Sequence, residues 1–298
     1  MARQSDPISI VTDSSCDLPR QLVNRFRIAV VPLVVHFNDE TYLDLDLSPD
    51  EFWKKAADTA SPKTSQPSPG AFEEVFEGLL ERGKQVLCIT LTGEHSGTAA
   101  TARLAARRFG DAVQVFDSHS LSLGLGFQVL EAARAVEAGC SMEAVVAWLE
   151  EVRSRIQAIV VLDTLESVRR GGRADGFIAA VDRITRVLRI KPIVGFVEGR
   201  LQLLGMARSF GRALERVLDM VEESLTSGAE PLASMEYLAV AHIRSVRKAE
   251  ELADRLAERF SFPREKILIR EAGAVVGSHA GRGAIGVFAM PKMSRTDC

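Results

Sequence analysis

The chain has 298 residues, 46% of them hydrophobic and 26% charged, with a formal net charge of −3. That length suffices for one large or two medium domains whose core needs neither disulfide nor metal. The near-neutral balance implies no polyanion partner, and an aromatic content of 6% speaks against a stacking surface for single-stranded nucleic acid.

The four cysteines, Cys16, Cys88, Cys140 and Cys298, form no C-x-x-C pair and no Cys/His cluster with zinc spacing, so no metal site is expected. Their usage fits a reducing compartment. The N-terminal residues lack an apolar signal core, and no apolar run approaches bilayer-spanning length. The expected location is the cytoplasm.

In chain order, residues 8–11 form a short apolar strand that ends in the polar cluster Thr12-Asp13-Ser14-Ser15-Cys16-Asp17 before Pro19 opens a helix. A polar loop between a strand and a helix is either a ligand-facing loop or a helix cap. Residues 28–37 carry a second strand interrupted at Pro32, residues 42–46 a short hairpin arm, and Ser48-Pro49-Asp50 the start of a helix. Residues 61–69 are the least regular stretch, because Pro62, Pro67 and Pro69 forbid a continuous helix. The exposed chemistry there is Lys63, Thr64, Ser65 and Gln66, in either a linker or a ligand-holding loop. Ser68 and Pro69 then read as the cap and first position of a helix that Gly83 ends.

The stretch around which the chain is organised follows. Residues 85–91 are an apolar strand, Thr92-Gly93-Glu94-His95-Ser96-Gly97-Thr98 a loop, and residues 99–109 a helix with small apolar residues at helical spacing. Ligands of open α/β sheets sit at the carboxyl ends of strands. The helix start leaves N–H groups unpaired, Gly97 permits close approach, and Ser96 and Thr98 add hydroxyls. The loop therefore suits a carboxylate or phosphate, with plain capping by Ser96 or Thr98 as the alternative.

A strand at 112–116, helices at 121–138 and 141–155, and the preceding alternation predict a parallel sheet covered by helices through about residue 155. Gly124-Leu125-Gly126 lacks the third glycine and the acidic residue of a dinucleotide fingerprint. A second half opens with a strand at 156–162. Arg169, Arg170 and Arg173 around Gly171-Gly172 either neutralise an anion or form a solvated turn. Residues 177–188 read as a helix, 189–208 as a β-hairpin turning at Glu198-Gly199, and 209–225 as a helix. A strand at 238–243, an amphipathic helix at 245–260 and a strand at 266–270 follow. A glycine-rich loop at 277–283 precedes a closing strand at 284–290.

Taken together and in this order, Thr12-Asp13-Ser14-Ser15, Pro32-Leu33, Thr64-Ser65-Gln66-Pro67-Ser68, Ser96-Gly97-Thr98, Asp117-Ser118, Arg170-Gly171-Gly172-Arg173, Lys191-Pro192, Glu198-Gly199 and Gly277-Ser278-His279-Ala280-Gly281 resemble the motifs of the DegV family. The resemblance spans nearly the whole chain. It implies a two-domain α/β fold, a parallel α/β/α sheet domain over 1–155 and a mixed-sheet α/β domain over 156–298, with a lipid between them.

The resemblance further implies a protein that binds a long-chain fatty acid as ligand, has no cofactor and no ATP site of its own, and is not itself an enzyme. Such a protein is the fatty-acid-binding subunit of a bacterial fatty acid kinase. It presents the acyl carboxylate to a separate ATP-binding kinase protein, with transient membrane contact, for acyl-phosphate formation in phospholipid synthesis.

Carried over residue by residue, the carboxylate contacts are Thr64 and Ser96, with Gly97, Thr98 and His279. Arg173, Ser65, Asp13 and Ser14 support them. The chain departs from the family pattern at Thr92-Gly93-Glu94-His95, where Ser-Ser-x-Leu is usual, and at Ala280 and Arg282, where Thr and Pro are usual. Arg282 is then expected to add a cation near the head group.

Two other readings use the same loops. In one, Ser96 is a hydrolase nucleophile with His95 or His279 as base, although Gly93-Glu94-His95-Ser96-Gly97 misses the G-x-S-x-G elbow by one residue. In the other, the loops bind a phosphate-bearing ligand.

Overall fold

The computed structural model describes residues 8–58, 62–82, 85–164, 190–226 and 235–294. Its first sheet holds β1 (Ile8–Asp13), β2 (Ala29–Val31), β6 (Gln85–Thr90) and β7 (Val113–Asp117) in the order β2-β1-β6-β7, all parallel. Parallel strands are covered on both faces, so they read as continuous apolar runs. Every residue of β1 is buried, and in β6 only Gln85 is exposed.

One face packs on α3 (Pro69–Leu80) and α4 (Thr98–Ala106), through Val11, Val86 and Cys88 against Phe72, Phe76 and Ala102. Ser68 caps α3 as expected, its Oγ accepting the Ala71 N–H at 3.2 Å, with Pro69 in the first turn.

The opposite face meets α5 (Leu123–Glu137) and, behind it, α6 (Met142–Arg155). Residues 123–136 of α5 are all buried except Arg134, because the helix also touches strands of the second sheet. A helix apolar all round is one enclosed on all sides. Gly126 explains part of the closeness: a Cβ there would fall 2.7 Å from the Cys16 carbonyl oxygen. Glu131, buried in this layer, accepts from Trp148 Nε1 at 3.0 Å and Tyr237 Oη at 2.7 Å, tying α5 to α6 and the second sheet.

That second sheet is mixed. It holds β8 (Gln157–Val161), β9 (Lys191–Val197), β10 (Arg200–Ala207), β11 (Met235–His242), β12 (Leu268–Glu271) and β13 (Ile285–Pro291) in the order β10-β9-β8-β13-β11-β12. Only the β11–β12 pair is parallel. The expected hairpin turns at Glu198 and Gly199, both at positive φ, 49° and 80°, as a two-residue hairpin turn requires. Helices α7 (Phe210–Thr226) and α8 (Val246–Phe260) cover one face. The other face shares a hydrophobic core with the first sheet, in which Phe288 and Ala158 join Ile10 and Leu87.

A third, antiparallel sheet contains the expected hairpin arm and adds a strand at residues 63–65 that the sequence reading does not give. It holds β3 (Val34–Phe37), β4 (Glu40–Leu43) and β5 (Lys63–Ser65) in the order β4-β3-β5. Residues 28–37 thus divide at Pro32 between two sheets. The irregular stretch at 61–69 contributes a strand, with Thr64 paired to Val35. A second correction concerns the glycine-rich loop at 277–283: Ala274–Ala280 is a helix, α9, and the turn begins only at Gly281, φ 78°. The arginine cluster at 169–173 and the helix expected at 177–188 lie outside the described residues.

Candidate functional site

An apolar cavity lies where the three sheets and α9 converge. Its volume is about 120 Å³, counted as the space in which the centre of a water molecule can move. Part of its wall is a row of small residues across the second sheet: Ala241 pairs with Gly286, Gly286 with Val160, and Val160 with Val194. Leu91, Leu121 and Phe288 close other sides. Polar groups enter mainly from β5 (Thr64, Ser65), from the loop after β6 (His95, Ser96) and from α9 (His279). These five are half-buried, whereas Phe288 and Ala284 are fully buried. The wall is mainly apolar, its half-buried polar groups come from β5, the loop after β6 and α9, and Ser122 and His242 add buried ones.

Thr64 and His279 face each other in that wall, Oγ1 and Nε2 sharing a hydrogen bond of 2.7 Å. With the imidazole proton on Nε2, His279 donates to Thr64 and leaves the Thr64 hydroxyl proton for an anion. Ser65 is held by His36, whose Nε2 lies 2.9 Å from Ser65 Oγ while its Nδ1 lies 3.0 Å from Thr41 Oγ1.

On the opposite loop, Ser96 Oγ accepts the Thr98 N–H at 3.3 Å and lies 2.8 Å from Thr98 Oγ1. Gly97 occupies the N-cap position of α4 and has no side chain to cap it. The first helical N–H, that of Thr98, is met instead by Ser96, so Ser96 also serves the helix start as the cap alternative expects. When the Thr98 hydroxyl also donates to Ser96 Oγ, the Ser96 O–H is left to donate outward. Gln66 joins the two loops: a Cβ on Gly97 would fall 2.8 Å from Gln66 Nε2. A side chain at 97 would have to displace that amide.

Asp13 and Ser14 stand behind the wall rather than on it. Asp13 is fully buried and accepts from Ser15 N at 3.0 Å and, through its other oxygen, from Leu91 N at 2.8 Å. It thereby fixes the strand end from which the Ser96 loop departs. Ser14 donates to Asp44 Oδ2 at 2.7 Å and accepts the Leu33 N–H at 3.0 Å. Asp44 Oδ1 in turn accepts the Val275 N–H at 3.1 Å, and Asp17 Oδ1 the Gly273 N–H at 2.8 Å.

Two carboxylates thus meet the N-terminus of α9, where negative charge is favoured, and His279 sits in the last turn of that helix. Burial pushes the Asp13 carboxyl up to about 6 and the Asp17 carboxyl up to about 7, and raises Asp44 as well. Sequence reasoning missed Asp17 and Asp44 in this role. Nothing local marks a residue that caps a helix more than two hundred positions away.

Thr64, Ser65, Ser96 and His279 therefore share the cavity wall, Gly97 and Thr98 support Ser96, and Arg173 lies outside the described residues. Arg282, expected beside the head group, instead stacks on Trp53 with its guanidinium 5.0 Å from the ring centre. A serine nucleophile needs a base on its hydroxyl. Here Ser96 Oγ is bonded to Thr98, His95 Nε2 accepts the Leu201 N–H at 2.8 Å, and His279 Nε2 is bonded to Thr64. Among the described residues no group of three or more His, Cys, Asp or Glu is placed to hold a metal ion. Nor is any described helix long and apolar enough to cross a membrane.

Comparison with known proteins extends over the whole chain. A family model described as "Uncharacterised protein, DegV family" matches residues 7–292. A DegV domain-containing protein of Deinococcus radiodurans is 36% identical over 288 residues, 95% of this chain and 98% of the relative. Another, from Caldanaerobacter subterraneus subsp. tengcongensis, is 33% identical, covering 95% of this chain and 98% of its own. Among solved structures, a Thermus thermophilus DegV family protein described for its fatty acid binding is 34% identical with a TM-score of 0.87, covering 96% of this chain and 100% of that one. A fatty acid binding protein of Bacillus subtilis is 29% identical with a TM-score of 0.81, covering 97% and 100%.

Proposed function

The chain belongs to the DegV family, and we propose that it binds one long-chain fatty acid in the cavity, with the carboxylate at the half-buried polar groups and the tail inside. The observation that carries this reading is the make-up of the cavity wall: half-buried hydroxyls and imidazoles gathered from β5, the loop after β6 and α9, with mainly apolar side chains making the rest. The fatty acid binding of the Thermus thermophilus and Bacillus subtilis relatives supports it.

Thr64 and Ser96 hold the carboxylate, and Gly97, Thr98 and His279 complete the cradle, with Arg173 as a further cation. A carboxylate taken from water costs several kcal/mol unless donors meet it, and each bond to a charged acceptor returns roughly 1.5–3 kcal/mol. The acyl chain supplies the affinity. At roughly 0.8 kcal/mol per methylene, a chain of about sixteen carbons contributes on the order of 12 kcal/mol before the costs of association.

The half-buried polar groups leave the carboxyl within reach of a second protein. The chain accordingly acts as the lipid-binding subunit that presents the carboxyl to a separate ATP-binding kinase for acyl-phosphate formation, without an ATP site of its own. Calorimetric titration with hexadecanoate tests the site. Thr64→Val with Ser96→Ala should weaken binding at least about a hundredfold, the worth of two charge-assisted bonds. Unchanged affinity in a folded double variant places the carboxylate elsewhere.

A further inference from the structure

The loop that departs from the family pattern, residues 92–95, reaches across to the β9–β10 hairpin. Its root is fixed in the first sheet, where Gly93 N–H donates to Asp117 Oδ2 at 3.0 Å and Thr92 N–H to the Ser120 carbonyl at 2.9 Å. Three further bonds reach the hairpin tip. Thr92 Oγ1 donates to the Gly199 carbonyl at 2.7 Å, Arg200 Nε to Glu94 Oε2 at 2.9 Å, and Leu201 N–H to His95 Nε2 at 2.8 Å. The His95 ring also meets the Phe196 ring edge to face, centroids 6.1 Å apart.

His95, Phe196 and Leu201 all line the cavity, and His95 is the immediate neighbour of Ser96. Among the described residues β10 is the edge strand of the second sheet, so within that sheet the hairpin is joined only through the β9–β8 pairing. The Arg200–Glu94 pair is exposed and contributes little. The bonds from Thr92 and to His95 are more sheltered, and they are the ones that hold the tip.

We propose that His95 is a positioning residue: by accepting the Leu201 N–H it clasps the Ser96 loop to the β9–β10 hairpin, and opening of this clasp is the step through which an acyl chain enters and leaves the cavity. The inference rests on the fatty-acid reading above and adds the route of exchange to it. A clasp opens for binding and for release alike, so loosening it speeds both and leaves the equilibrium nearly unchanged. A plain ligand contact behaves differently: its loss raises dissociation alone and weakens affinity in proportion.

The test is stopped-flow fluorescence with cis-parinaric acid, on the full chain. His95→Phe, which keeps a ring but no acceptor, should raise association and dissociation rates together by about tenfold, the worth of one such bond. A dissociation constant within about twofold of wild type is expected of Thr92→Val, whose side chain does not line the cavity. His95→Gln, whose amide oxygen can accept from Leu201, should exchange close to the wild-type rate. Thr92→Val, which cuts the second sheltered bond, should move both rates in the same direction as His95→Phe. Amide hydrogen exchange of Leu201 without lipid gives an independent readout: protected in wild type and in His95→Gln, fast in His95→Phe.

Rates unchanged in both His95→Phe and Thr92→Val, or a rise in dissociation alone with matching loss of affinity, overturn the clasp. Wild-type protein that binds no probe overturns the fatty-acid reading, and the gating inference with it. Leu201 protection then still reports whether the bond itself exists.

Discussion

Thr64 and His279 stand 215 positions apart in the chain and share a hydrogen bond of 2.7 Å in the cavity wall. The strand that carries Thr64 is three residues long and depends on its pairing with β3. The helix that carries His279 depends on two carboxylates from the first fifty residues. Removing the imidazole therefore frees Thr64 Oγ1 from its partner while leaving both elements in place. His279→Ala should keep the fold and weaken hexadecanoate binding by roughly 10- to 100-fold, in line with one bond to a charged acceptor. Calorimetry beside a thermal melt checks both halves of the expectation.

Gly97 offers a cleaner test of how the two loops meet. An alanine there places its Cβ 2.8 Å from Gln66 Nε2 and 2.9 Å from Gln66 Cδ. Gln66 is exposed, so its amide can swing away and stability should change little. The register between the Thr64 and Ser96 loops is what should suffer. Gly97→Ala is expected to weaken fatty acid binding several-fold, and in a Gln66→Ala background, where the space is already open, it should add much less. The coupling is read from a double-mutant cycle on binding affinity.

The buried carboxylates give the protein a stability that falls as pH rises. Asp13 and Asp17 are held protonated up to about 6 and about 7, against roughly 3.9 in an unfolded chain. Between those limits the folded state binds more protons than the unfolded one, so unfolding free energy decreases with rising pH. Their contribution is whole below about pH 4 and is lost by the time pH passes about 7, with Asp44 acting in the same direction. The expected result is a melting temperature that declines from pH 5 to pH 7.5. Asp17→Asn, which keeps an acceptor for Gly273 N–H, should flatten the decline. A melting temperature that rises across this range would show the carboxylates to be ionised and well solvated.

Where a feature is local, the sequence announces it. The parallel sheet is legible in the largely apolar runs at 8–11 and 85–91 and their alternation with helices, the start of α3 in Ser68 and Pro69, and the hairpin turn in Glu198-Gly199. Ser96 is nominated by its strand–loop–helix setting with capping as the alternative, and the family resemblance is what chooses between the two and adds Thr64 as a carboxylate contact.

What stayed hidden depends on distant partners. Residues 63–65 sit between prolines and look irregular, yet β3 supplies the hydrogen bonds that make them a strand. Residues 277–283 carry three glycines and read as a loop, yet a helix runs through Ala280, with Asp17 and Asp44 meeting the N–H groups of Gly273 and Val275 at its start. His95 stands in the sequence as a departure from the family pattern and a candidate base, and its partner, the Leu201 N–H, comes from a hairpin more than a hundred residues away.

Fatty acid binding is tested most directly by weighing the purified protein intact, first under native conditions and then denatured. The native mass should exceed the denatured mass by one long-chain fatty acid, and the difference should vanish in the Thr64→Val, Ser96→Ala variant. Wild-type protein that weighs no more than its bare chain, and takes up no hexadecanoate when incubated with it, contradicts the assignment.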